Sequence, residues 1–116
     1  MTIKKFTVNN TEFMFVNTTW SNSRAWGHET TLLENDREVA TNRCTYQNRT
    51  WECYEYQTCM LGCVRILIEN RIAIITDTYK SDRNISRITK KHREALEEII
   101  ADDARLNLLK ELKGML

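Results

Sequence analysis

The sequence predicts an α+β domain: a four-stranded antiparallel sheet in the N-terminal part, packed on a long helix and followed by one or two C-terminal helices. Three observations lead there. Apolar residues alternate with polar ones through the first part of the chain, the period of a half-buried strand. From Thr50 onward they recur at spacings of three and four, the period of a helix face. Short turn signals separate the first segments, and consecutive strands with short connections form an antiparallel meander. Strands segregated ahead of helices define the class. The 116 residues suit one domain, 1–116, and a chain of this size buries a core without a disulfide or a metal.

The elements follow in order. Ile3 to Val8 places Phe6 and Val8 on one face. Asn9-Asn10 is a turn, because asparagine tolerates positive φ. Glu12 to Thr18 carries Phe13 and Phe15 on one face and Met14 and Val16 on the other, which fits a central strand or one covered by a helix on one side and an edge loop on the other. The polar stretch from Trp20 to Gly27 reads as a loop with aromatic anchors. His28 to Leu33 is the third strand, Glu34-Asn35-Asp36 a turn, and Arg37 to Tyr46 the fourth strand, with Val39 and either Cys44 or Tyr46 reaching the core. One long helix is predicted from about Trp51 to about Lys80. Two stripes follow the helical spacing: Trp51, Tyr54, Thr58, Leu61, Arg65 and Ile68, and Met60, Val64, Ile68, Ile72, Ile75 and Tyr79. The β-branched run Ile72 to Thr76 could form a strand by itself, but the continuous stripe favours helix. Ser81 to Asn84 ends it. A second helix starts near Thr89, a candidate N-cap, with His92, Leu96, Ile99 and Ile100 on its apolar side. Asp102-Asp103 is placed to cap a third, short helix bearing Leu106, Leu109 and Leu112, or Leu108, Leu112 and Met115.

Composition narrows the function classes. Seventeen basic and sixteen acidic residues give a net charge of +1, which argues against both a molecule-wide basic field and an acidic mimic of DNA. The absence of proline and the three glycines argue against linkers and disorder. MTIKKF is followed by no apolar signal region, and the run Ile72 to Ile75 is far too short to span a membrane. The expected location is the cytoplasm, where thiols stay reduced.

The densest stretch is YQNRTWECYEYQTCMLGC, Tyr46 to Cys63. Cys44, Cys53, Cys59 and Cys63 are enough to hold zinc, but their C-x8-C-x5-C-x3-C spacing offers no knuckle, and they read as small buried apolar residues. No metal and no cofactor are expected. Asn48-Arg49-Thr50-Trp51-Glu52 suits the corner where sheet meets helix: a cap, an acid at the positive helix end and a large flat side chain. The functional alternative is a contact surface of Arg49, Tyr54 and Tyr56 with Arg24, Trp26 and His28 of the WSNSRAWGHE segment, since arginine and aromatic residues lead interface hot spots. His28-Glu29 could exchange protons, yet no phosphate loop, nucleophile elbow or histidine pair joins it, so no enzyme is expected. The one strongly one-signed region is Lys80, Arg83, Arg87, Lys90, Lys91 and Arg93 against Asp82. It reads as a solvated face or as a strip for a nucleic-acid backbone.

The segments WSNSRAWGHETTL and CTYQNRTWECYEYQTCM, the long helix after them and the Lys/Glu-rich terminal helix resemble small accessory proteins of phages and mobile elements of Gram-positive bacteria. The likeness runs from about Phe13 to Leu112. It implies a protein made in a bacterial host cell that binds and inhibits a host protein or ribonucleoprotein, an anti-CRISPR protein blocking an effector nuclease being one such type. It carries over no catalytic residue. Two expectations result: a non-enzymatic inhibitor acting by surface occlusion, or a nucleic-acid-binding accessory protein using the basic strip.

Overall fold

The computed structural model describes residues 1–46 and 56–116. Its elements are β1 (Thr2–Val8), β2 (Thr11–Ser21), β3 (Trp26–Glu34), β4 (Arg37–Tyr46), α1 (Gln57–Arg83), α2 (Lys90–Asp102) and α3 (Ala104–Met115). The strands form one antiparallel sheet in the order β1-β2-β3-β4. The α+β prediction is therefore correct, with three helices.

Turn chemistry sets the meander. Asn9 (φ 47°) and Asn10 (φ 66°) link β1 to β2, and Asn35 (φ 49°) and Asp36 (φ 67°) link β3 to β4. Two successive left-handed residues twist in the same sense as the strands they join, and Asn and Asp reach that conformation most cheaply. The loop read between Trp20 and Gly27 is half strand, since β2 runs through Ser21 and β3 begins at Trp26. Only a tight turn remains, held by Asn22 Oδ1 accepting from the backbone N–H of Arg24 and of Ala25 at 2.8 Å each.

Alternation then sorts the two faces. Phe6, Phe13, Phe15, Asn17, His28, Thr30, Leu32, Ala40, Asn42 and Cys44 share the inner face. A bulge at Leu32/Leu33 turns Val39 inward beside Ala40. Against this face lie the first half of α1 and, over β1, α3. Phe13, Phe15, Leu32, Met60, Cys63, Val64 and Leu112 form the main core. A second cluster of Ile75, Tyr79, Leu96 and Leu106 joins α1 to α2 and α3, and Ile68 packs against both. Of the two predicted stripes of α1, the one from Met60 to Tyr79 faces inward; of the other, Thr58 and Arg65 are exposed. On α2 the assignment shifts: Leu96 is buried and Ile100 packs inward, whereas Ile99 is 42% exposed. Asp103, as predicted, caps α3, accepting from Leu106 N at 3.0 Å.

The predicted start of the long helix at Trp51 lies outside the described residues. No helix is long and apolar enough to cross a membrane among those that are described.

Candidate functional site

Asn17, Thr30, Asn42 and the thiols of Cys59 and Cys63 are used by the fold on the inner face. Thr30 Oγ1 donates to Asn17 Oδ1 at 2.6 Å, and both residues are fully buried. Asn42 Nδ2 donates to Cys59 O at 3.1 Å. This requires a close approach of β4 to α1, which Gly62 permits, since a Cβ there would strike the Asn42 amide. The Cys59 thiol lies 3.4 Å from the carbonyl oxygens of His28 and Asn42, and the Cys63 thiol 3.4 Å from that of Thr30. Burial pushes both thiols up to about 12, so at neutral pH they are donors and not nucleophiles. Among the described residues no group of His, Cys, Asp and Glu could hold a metal ion. Cys53 lies outside them.

The aromatic corner is only partly a surface. His28 is 4% exposed, with Tyr56 at 4.2 Å and Trp26 edge-on at 5.7 Å between ring centroids. Its reading as a contact residue is corrected: it points into the fold and supports Trp26 and Tyr56, which are half-buried. Glu29, the next residue of the strand, faces the other side of the sheet and binds Arg43 at 3.1 Å. Strand alternation thus separates the imagined His28-Glu29 acid-base pair. Arg24 is exposed at the β2–β3 turn. Arg49 and Tyr54 lie outside the described residues.

The basic residues, by contrast, come together. The α1 helix ends at Asn84 in the left-handed conformation (φ 53°, ψ 47°), with Ile85 N donating to Lys80 O at 3.0 Å and Asn84 N to Ser81 O at 3.2 Å. This paired closure turns the chain sharply. Ile85 and Ile88 then fold onto the second cluster and leave Arg87 outside. Thr89 stands at the start of α2, but its side chain makes no capping bond. Lys90, Lys91 and Arg93 follow at once. Arg83, Arg87, Lys90, Lys91 and Arg93 are exposed and Lys80 is half-buried, so the six residues line the end of α1, the connection and the first turn of α2.

Two features set this arc apart. Four arginines elsewhere are matched: Arg43 to Glu29, Arg65 to Glu69 at 3.9 Å, Arg71 to Asp103 at 2.8 Å and Arg105 to Glu34 at 2.6 Å, whereas the exposed Arg24 and Arg37 have no ion-pair partner among the described residues. None of the six arc cations has an ion-pair partner among the described residues. The charges on α2 also oppose its dipole. Its first turn has no acid and its last turn no base, whereas anionic groups are favoured at helix N-termini and cations at C-termini. Arg83 is the best organised member. Its guanidinium lies 3.7 Å above the ring of Tyr79, and Tyr79 Oη is 3.3 Å from His92 Nδ1. Stacking holds the guanidinium plane while its N–H edges stay available to an oxyanion. The i,i+4 spacing of Tyr79 and Arg83 was the signal for this contact that the sequence reading passed over.

Beside the arc, between α1, α2 and α3, lies a groove of about 250 Å³ bordered by the exposed Ile74 and Ile99. The Arg71–Asp103 pair, with bonds of 2.8 and 3.1 Å, closes one end. The Arg71 guanidinium holds the Asp103 carboxyl below its ordinary value.

The chain matches no protein-family model, no curated protein and no solved structure.

Proposed function

We propose that this protein is a non-catalytic accessory protein that binds a nucleic-acid-bearing partner through the basic arc Lys80, Arg83, Arg87, Lys90, Lys91 and Arg93. The observation that carries this reading is that these six cations adjoin one another with no ion-pair partner among the described residues, and that Lys90, Lys91 and Arg93 are set against the dipole of α2. Basic side chains in that first turn cost fold stability, each on the order of 0.3–1 kcal/mol when exposed. A polyanion would offset that cost, since phosphate oxygens are favoured at a helix N-terminus and beside guanidinium groups. Local rules are most often broken where a surface serves binding.

In the setting that the resemblance implies, the partner is a host ribonucleoprotein and the outcome is its inhibition, a CRISPR effector nuclease being one target of that chemistry. Arg24 and Trp26 would add a smaller contact at the far end of the sheet.

The test is fluorescence anisotropy with labelled single- and double-stranded DNA and RNA of one length. The expected result is binding that weakens steeply between about 50 and 200 mM salt. The triple variant Lys90→Gln, Lys91→Gln, Arg93→Gln should bind more weakly and show a shallower salt slope. No binding at low salt, or binding that the triple variant leaves unchanged, overturns the proposal.

A further inference from the structure

The molecule measures 51 × 34 × 21 Å. Its thin dimension corresponds to one sheet and one layer of helices, and each such layer is about 10 Å deep. The three helices described lie on the inner side or beyond the end of the sheet, so among the described residues the outer face carries no helix. This face is organised in rows across the strands. One row is Lys5, Met14, Leu33 and Glu38; the next is Ile3, Val16, Thr31 and Thr41. Met14, Val16 and Leu33 at the centre are half-buried by one another, and Ile3 is 48% exposed. The rim is charged with both signs, which suits neither a polyanion nor a lipid surface.

We propose that this face is a homodimer interface: two copies pack their open sheets together about a two-fold axis parallel to the strands. Such an axis lays β2 of one copy on β3 of the other, and β1 on β4. Met14 then meets the second copy's Leu33, and Val16 meets its Thr31. Lys5, at one end of its row, meets Glu38, at the other end of the same row, and symmetry makes the contact twice. The surface is complementary to itself in charge as well as in apolar content.

The area is sufficient. Four strands about 4.8 Å apart and some eight residues long at about 3.3 Å each give a footprint of roughly 500 Å² per copy. Two copies bury roughly 1,000 Å², where specific interfaces begin. The resulting assembly has four layers, helices outside and sheets within, and presents two basic arcs.

Sedimentation equilibrium over a concentration series tests it. A species of twice 13.8 kDa is expected, and Leu33→Arg should give the single-chain mass with an unchanged far-ultraviolet spectrum. Lys5→Glu and Glu38→Lys lie on the exposed rim and leave the core intact. Each alone should weaken the dimer roughly tenfold, because each places like charges together twice. Mixing these two variants should restore association, since the mixed dimer carries opposite charges at both contacts. Single-chain mass at every concentration overturns the proposal. So does a dimer that Leu33→Arg and the charge reversals leave unchanged, because its interface would lie elsewhere. Either failure leaves the nucleic-acid reading standing, since that rests on α1 and α2.

Discussion

From Gln57 to Ile68, α1 lies on the sheet; from Ile68 to Arg83 it runs beside α2 and α3. The first half meets buried polar groups whose hydrogen bonds are met: Asn17 with Thr30, Asn42 with Cys59, and the thiols with strand carbonyls. The second half ends among six cations with no ion-pair partner among the described residues. The difference teaches where to look for function. Polar groups that complete the fold are satisfied by it, because an unmet buried donor or acceptor costs more than the bond contributes. Charges that the fold neither pairs nor needs are free to meet a partner.

Substitutions should therefore differ in sign as well as size between the two halves. The largest effect is expected in the sheet core. Phe15→Ala removes a fully buried ring that stacks edge-on with Phe6 at 5.8 Å and should cost about 3–5 kcal/mol; urea denaturation measures it. An unchanged midpoint would break the distinction at its strong end.

Next comes the buried amide. Asn17→Ala strands the Thr30 hydroxyl, which now donates at 2.6 Å, and should cost about 1–3 kcal/mol. Asn17→Leu and Thr30→Val combined should recover part of the loss, since replacing both partners removes the orphan. A double variant no better than the single would show that this bond is not what the site depends on.

Asp103 sharpens the comparison where the halves meet. Asp103→Ala removes the α3 cap and should cost about 1 kcal/mol. Asp103→Asn keeps a cap and loses the charge. The Asp103 carboxyl is held down chiefly by its bonds to Arg71, so protonation is harder in the folded state. The stabilisation is present above the unfolded carboxyl value of about 3.9 and is lost as pH falls through the lower folded value. Melting temperatures followed down through that window should drop less steeply for Asp103→Asn than for the parent.

The smallest effect has the opposite sign. Lys90→Glu places an acid in the first turn of α2 and should raise stability by about 0.3–1 kcal/mol while weakening any binding of polyanions. Thermal unfolding and anisotropy together check it. A destabilised variant would mean that Lys90 serves the fold, and the arc would lose its contrast with the sheet.

The turns, the alternation in β1 and β2 and the stripe from Met60 to Tyr79 were legible because each depends on neighbours within one or two turns of chain. The polar stretch Trp20 to Gly27 misled. Serine, asparagine and glycine read as loop, but β2 and β3 pair with each other through Trp20–Gly27 and Ser21–Trp26, and β4 continues along β3, so both strands extend into it. His28 misled for a related reason: a titratable residue beside arginine and tryptophan resembles a contact group until strand pairing turns it inward.

Local chemistry therefore determined much of this protein from sequence alone: the α+β order, the two Asn/Asp hairpin turns, the buried stripe of α1, the Asp103 cap and the existence of a basic segment. Only the tertiary structure decided which charges are matched, because Arg71–Asp103 and Arg105–Glu34 join residues 32 and 71 positions apart. By the same token it decided that His28 is buried and that, among the described residues, the basic segment has no ion-pair partner and one sheet face carries no helix. Those are properties of what lies across the fold from a residue, and no local pattern carries them.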